Sequence, residues 1–236
     1  MGGDRIEQTR PPHEPRLTWG PVCGRPDPMT TDGAPSFLDR KARDLLDLFA
    51  AGRNTPGAGS AAALAGAIAG GLLETVARHT IKAALSGKRT AAYEPFRDRA
   101  EALLAAAGER SSRLRDAVDE DAAAFEHFWR DRTEETLRLA TEIPIQIAEH
   151  CSALAEIGIE LYDRGFKNAR GEAGAAALSA AANGEAAAFC AVLNLKLAGA
   201  AGWAEKRKND VADLRRRLRQ QRALVEARIY QEEEPA

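Results

Sequence analysis

The sequence predicts an all-α fold of long antiparallel helices, and three observations carry that prediction. Forty-nine of the 236 residues are alanine, while aromatic residues make up only 6%. A β-sandwich or barrel would want Val, Ile, Thr and aromatic side chains on short alternating strands. From Ser36 onward the apolar residues instead recur with a helical period, broken by Gly/Pro corners. Small side chains let such helices pack closely, so the Ala/Gly-rich faces are the expected contacts.

The elements follow in order. Residues 1–35 carry prolines at 11, 12, 15, 21, 26, 28 and 35, which deny the segment regular structure; it reads as a disordered extension. Met29 offers an alternative translation start. A helical domain over 36–205 opens at Ser36, a capping residue, with Phe37, Leu38, Leu45, Leu46, Leu48 and Phe49 as its apolar stripe. Ala51 and Gly52 end that helix. The corner Asn54-Thr-Pro-Gly-Ala-Gly-Ser60 follows, with Ser60 placed to cap a helix over 61–85. Ser86-Gly87 is a turn. A helix starting near Glu94, with Pro95 in its first turn, runs to Arg130 with a potential break at Gly108. Thr133 caps the next, which meets Pro144, where a kink is expected, and closes at Gly165. After Phe166–Gly174 an Ala-rich helix extends over 172–201, and residues 206–236 form a charged C-terminal helix and tail.

Charge and cysteine content exclude several classes. Lys plus Arg number 33 against 35 Asp plus Glu, a net charge of −2, so no global field favours nucleic acid or an anionic membrane. Lys206–Arg222 is locally basic but lacks aromatic interleaving, and reads as a solvated helix face. Cys23, Cys151 and Cys190 are widely spaced and form no zinc pattern; a reducing, cytoplasmic compartment is the simple expectation. Cys190 reads as a small core residue. No metal is assigned from His79, His127 and His150. The longest run of Ala, Gly, Leu and Ile, Ala61–Leu73, is thirteen residues, short of the roughly 20 of a membrane span.

Three places could carry chemistry. In the 54–60 corner, Gly57 and Gly59 uncover backbone N–H groups, and with Ser60 could receive a carboxylate, phosphate or carbonyl oxygen at a helix N-terminus. A purely structural corner is the competing reading. Asp121 stands four residues before Phe125, amid Ala122, Ala123 and Ala124, which gives this carboxylate apolar surroundings. The third place holds Asn168, Arg170, Glu172 and Gly174; Glu172 is a dipole partner in a first turn or, if desolvated, an acid/base. Asn194, among Val192, Leu193, Leu195 and Leu197, must find a partner in the core or on a ligand.

The order of these blocks resembles the cyclodeaminase/cyclohydrolase family: FLDRKARDLLDLFAAG, NTPGAGSAAALAGAIAG, DEDAAAF and NARGEAGAAAL, within residues 36–205. The resemblance implies an all-helical homodimer acting on a tetrahydrofolate derivative without metal or redox cofactor. Its reactions are hydrolysis of 5,10-methenyltetrahydrofolate to 10-formyltetrahydrofolate and cyclodeamination of 5-formiminotetrahydrofolate. The chain's size, without a transferase domain, leans toward the hydrolase. By the same resemblance, Glu172 and Asp121 are the catalytic carboxylates. Pro56, Gly57, Gly59, Ser60, Phe125, Asn168 and Asn194 bind substrate, and Lys82, Lys88 or Arg89 could meet the anionic folate tail. The chain departs from the family pattern at Ala58 for Gly, Gly171 for Ser, Glu172 for Asp, Cys190 for Asn and Val192 for Arg. Those losses motivate two alternatives, a non-catalytic folate-binding or scaffold relative and an enzyme with a different small substrate.

Overall fold

A computed structural model describes residues 36–86 and 90–233, with side chains as far as Arg228. The extension 1–35 and the basic pair Lys88–Arg89 lie outside the described residues. Within them every regular element is helical. The long helices are α2 (Ala58–Leu85), α4 (Arg97–Asp131), α5 (Glu134–Arg164), α6 (Arg170–Ala198) and α7 (Gly202–Glu233). The short α1 (Ala42–Ala50) precedes them, and α3 (Thr90–Tyr93) links α2 to α4.

Helices α2, α4, α5 and α6 form a four-helix core in which the diagonal pair α2 and α5 also meet, with α7 laid against α5 and α6. Small residues set the spacing. A Cβ on Gly66 would stand 2.8 Å from Cys151 Sγ and 3.0 Å from Leu114, so α2 meets α5 and α4 at a point where only glycine fits. The core is accordingly built of alanine: Ala63, Ala77, Ala107, Ala155, Ala176 and Ala188 are fully buried.

Several local expectations change once tertiary partners are visible. The α4 helix runs unbroken through Gly108, whose added Cβ would make only ordinary contact with Glu74. The α5 helix continues through Pro144, as expected. Proline has no N–H to give the carbonyl four residues back, which is that of Ala140; Asn194 Nδ2 of α6 donates to this oxygen at 2.8 Å instead. The proline is thus accommodated because a neighbouring helix replaces the missing donor. At the N-terminus, α1 buries only Leu45 and leaves Leu46 exposed, so the predicted apolar stripe is mostly not in the core.

The charged C-terminal segment is an integral layer. Ala204, Val211, Leu218 and Val225 recur every seven residues, with Leu214 and Gln221 between them, and all are buried. This is the seam of a coiled coil. Its outward arginines form ion pairs, Arg207 with Glu142, Arg219 with Glu185 and Arg228 with Asp163. Both Ala58–Leu85 and Lys167–Ala198 are long and apolar enough to cross a membrane by length and composition, despite the interruptions in sequence. Much of that apolar surface packs inside the bundle.

Candidate functional site

The first turn of α2 builds the most constrained polar point in the molecule. The Thr55–Pro56 peptide is cis, Pro56 is buried, and Gly57 is the N-cap, so α2 begins at Ala58. The capping role expected of Ser60 therefore passes to Gly57. Ser60 lies inside the first turn, fully buried, and its hydroxyl donates to Asp121 Oδ2 of α4 at 2.9 Å. The Ser60 backbone N–H also bonds Asp121. The carboxyl thus sits on the positive end of α2, filled by the protein's own side chain rather than left bare.

Gly59 makes this approach feasible. A Cβ there would lie 2.1 Å from Asp121 Oδ1 and 2.5 Å from its carboxyl carbon. Ala58, where the family has glycine, has no positive φ and is exposed, so the substitution costs the loop nothing conformational. Beside the cradle, Thr55 Oγ1 donates to Glu126 Oε1, and Asp119 accepts from Ser36 Oγ and from Phe37 N at 2.8 Å. These bonds tie the chain entering α1 and the corner before α2 to the same stretch of α4.

Burial pushes the Asp121 carboxyl above the usual aspartate range, and the Ser60 hydroxyl and N–H bonds offset only part of that. No cation is among the groups acting on it. Cys190 of α6 faces the same point. Its thiol is pushed up to about 11, first by burial and then by Asp121, so it is a neutral thiol at physiological pH. Cys190 is half-buried rather than in the core as the sequence suggested. Cys151, fully buried, is pushed up to about 12.

The remaining sequence-predicted residues divide by position. Phe125, one turn beyond Asp121, is half-exposed and stacks on Trp129 with ring centroids 6.2 Å apart. Asn194 is on the same end of α6 but spends its amide on Ala140 O. Glu172 and Asn168 are at the opposite end. Helices α2 and α6 run antiparallel, since Asp121 bonds Ser60 near the start of α2 and acts electrostatically on Cys190 late in α6, while Thr80 late in α2 accepts at 2.9 Å from Phe166 N, just before α6. Within one chain, Glu172 is therefore roughly 27 Å from Cys190 along α6 at 1.5 Å per residue. Both Glu172 and Asn168 are exposed. Lys82 is on that far end of α2 as well.

Sequence reasoning missed Trp129 and Arg132, which continue the Asp121–Phe125 row down α4. Arg132 lies over the Trp129 ring at 3.8 Å and donates from Nε to Trp129 O at 2.9 Å. The spacing 121, 125, 129, 132 was the available signal, because it keeps one helical face.

No curated protein sequence matches the chain. Among solved structures, formiminotetrahydrofolate cyclodeaminase from Thermotoga maritima matches with a TM-score of 0.65 and 25% identity, over 80% of this chain and 92% of that one. The formiminotransferase-cyclodeaminase family model matches residues 41–213, which include α2, α4, α5, α6 and the Asp121 cradle. On that match, and on the fold shared with the Thermotoga protein, the chain belongs to the formiminotransferase-cyclodeaminase family.

Proposed function

We propose that the protein is a tetrahydrofolate one-carbon enzyme whose proton carrier is Asp121, with cyclodeamination of 5-formiminotetrahydrofolate as the first reading. The carrying observation is a half-buried carboxyl with a raised pKa, held by Ser60 and Gly59 at the N-terminus of α2. A carboxyl whose protonated form is favoured by burial is suited to delivering a proton to a departing amine. Asp121 gives its proton to the imino nitrogen. As N10 bonds to the formimino carbon, the carboxylate takes the N10 proton and passes it to the amine. Ammonia then leaves and the methenyl cation remains, with one proton drawn from solvent overall.

Hydrolysis of 5,10-methenyltetrahydrofolate at the same group is the second reading, favoured by a carboxylate that can accept a proton from attacking water. The reaction calls for no metal or redox group in this scheme. Purified protein incubated with 5-formiminotetrahydrofolate should raise the methenyl absorbance faster than buffer, and D121N should lose at least about a hundredfold of that rate. Loss of added methenyltetrahydrofolate would select the hydrolase. No acceleration of either reaction, with folate binding retained, would make this a binding relative instead.

Glu172 can join Asp121 only from a second copy, and the surface of α6 supports an antiparallel homodimer. Ala175, Ala182, Phe189 and Leu193 are all exposed on this helix. A two-fold axis at Ala182 sets Phe189 against Ala175 and Leu193 against Gly171 of the copy, large against small in both directions. The same axis brings Glu172 opposite Val192, two residues from Cys190. A cytoplasmic location fits this chemistry.

A further inference from the structure

The α4 row beyond Asp121 has chemistry that the cradle does not use. Asp121, Phe125, Trp129 and Arg132 fall within about 80° of one another around the helix and span about 16 Å along it. Phe125 and Trp129 are half-exposed and tilted by only 23°, giving a nearly continuous aromatic strip. Arg132 is held in place twice, by its Nε bond to Trp129 O and by its seat over the indole. Among the described residues no carboxylate pairs with it; the adjacent Asp131 pairs with Arg130. Its Nη edge is therefore a pre-oriented cation, the geometry that grips a carboxylate in two bonds.

The backbone adds a separate argument. Arg132 ends α4 with φ 54°, the left-handed conformation in which glycine is favoured, and it is the sole such non-glycine residue among those described. An arginine at this position keeps its side chain at a conformational cost.

We infer that the row is a linear subsite for the aminobenzoyl-glutamate part of a folate. The ring lies along Phe125 and Trp129, and Arg132 takes a glutamate carboxylate while the pterin end lies against the outer side of Asp121. This inference rests on the folate reading of the Asp121 cradle. It places recognition of the anionic tail on α4, whereas Lys82 is at the other end of α2. The order of groups in the protein, hydrogen-bonding head, aromatic strip and cation, is the order of groups in the ligand.

The test compares binding of 5-formyltetrahydrofolate and of its analogue with a neutral methylamide in place of the glutamate to the full chain by calorimetry. Wild type should prefer the glutamate form by about tenfold, the scale of a charge-assisted hydrogen bond. R132G should erase that preference while leaving the melting temperature unchanged or higher, because glycine suits the left-handed backbone. R132K should recover part of the preference. W129F should remove the tryptophan quenching that accompanies binding of the glutamate form. Equal affinity of wild type for both ligands, or a preference that survives R132G, overturns the subsite and leaves the folate reading intact. Failure of wild type to bind either ligand overturns both.

Discussion

The two ends of the α2–α6 pair each present a candidate carboxylate, and physically they are unlike. At one end Asp121 of α4 is half-buried against the first turn of α2, hydrogen-bonded by Ser60 and raised in pKa by burial. At the other, Glu172 stands exposed in the first turn of α6, where a negative charge suits the helix dipole. A motif supplies residue types, but enclosure supplies reactivity. That difference ranks what substitutions should do.

The largest effect is expected at Asp121. D121N should cost at least about a hundredfold in turnover, yet the protein should melt no lower at pH 7. The sign follows from linkage. A carboxyl whose folded pKa is raised favours the fold while protonated, and that advantage is lost as pH rises through the folded pKa. The amide removes the penalty, so the gain in melting temperature should be greater at pH 7 than well below the usual aspartate range, where the carboxyl is protonated in both the folded and the unfolded state. A melting temperature that falls equally at both pH values would place Asp121 in structure rather than chemistry.

At the Glu172 end the effect depends on a partner. A182R should separate the copies in light scattering and lower turnover with it. E172Q should reduce turnover about tenfold or more while leaving the mass of the assembly unchanged. A fully active A182R monomer would detach Glu172 from the reaction.

Within the cradle the two glycines sharpen the contrast further. G59A drives a methyl into the Asp121 carboxyl; overpacking of this kind costs about 1–3 kcal/mol, against about 1 kcal/mol regained in helix propensity. Turnover should drop with it, since a displacement of about 1 Å can cost about a hundredfold. G57A meets only Asn54 O at 3.4 Å and should be close to neutral in a kinetic and denaturation comparison.

The smallest effect concerns the Asn194–Ala140 bond. N194A should cost about 1–2 kcal/mol by leaving a carbonyl unsatisfied. In a P144A background, where the substituted residue would supply its own N–H, most of that cost should vanish. Equal costs in the two backgrounds would mean that the bond does not substitute for the helix donor.

Much of the fold was legible because its signals are local. The Thr133 cap is present, with Thr136 completing the reciprocal pair, and alanine density located the helices that form the core. Expectations failed where the deciding partner is distant in sequence. Ser60 looks like a cap, but its hydroxyl is taken by Asp121, sixty-one residues away. The sequence predicts a helix that continues past Pro144, but does not show that Asn194 of α6 supplies a donor to the carbonyl it leaves open. The basic run after Lys206 looks solvated, and its arginines are, yet the heptad of Val211, Leu218 and Val225 between them is buried. For the site, residue types pointed to Asp121 and Ser60, while the separation of Glu172 from them depends on helix direction, which no motif encodes.

The pH dependence of turnover with 5-formiminotetrahydrofolate, in wild type and D121N, tests the proton-carrier role most directly. Wild-type kcat should decline as pH rises through an apparent pKa above the usual aspartate range, and the residual rate of D121N should lack that limb. An unchanged limb in D121N, or a D121N rate equal to wild type, would contradict the assignment of Asp121 as the acid.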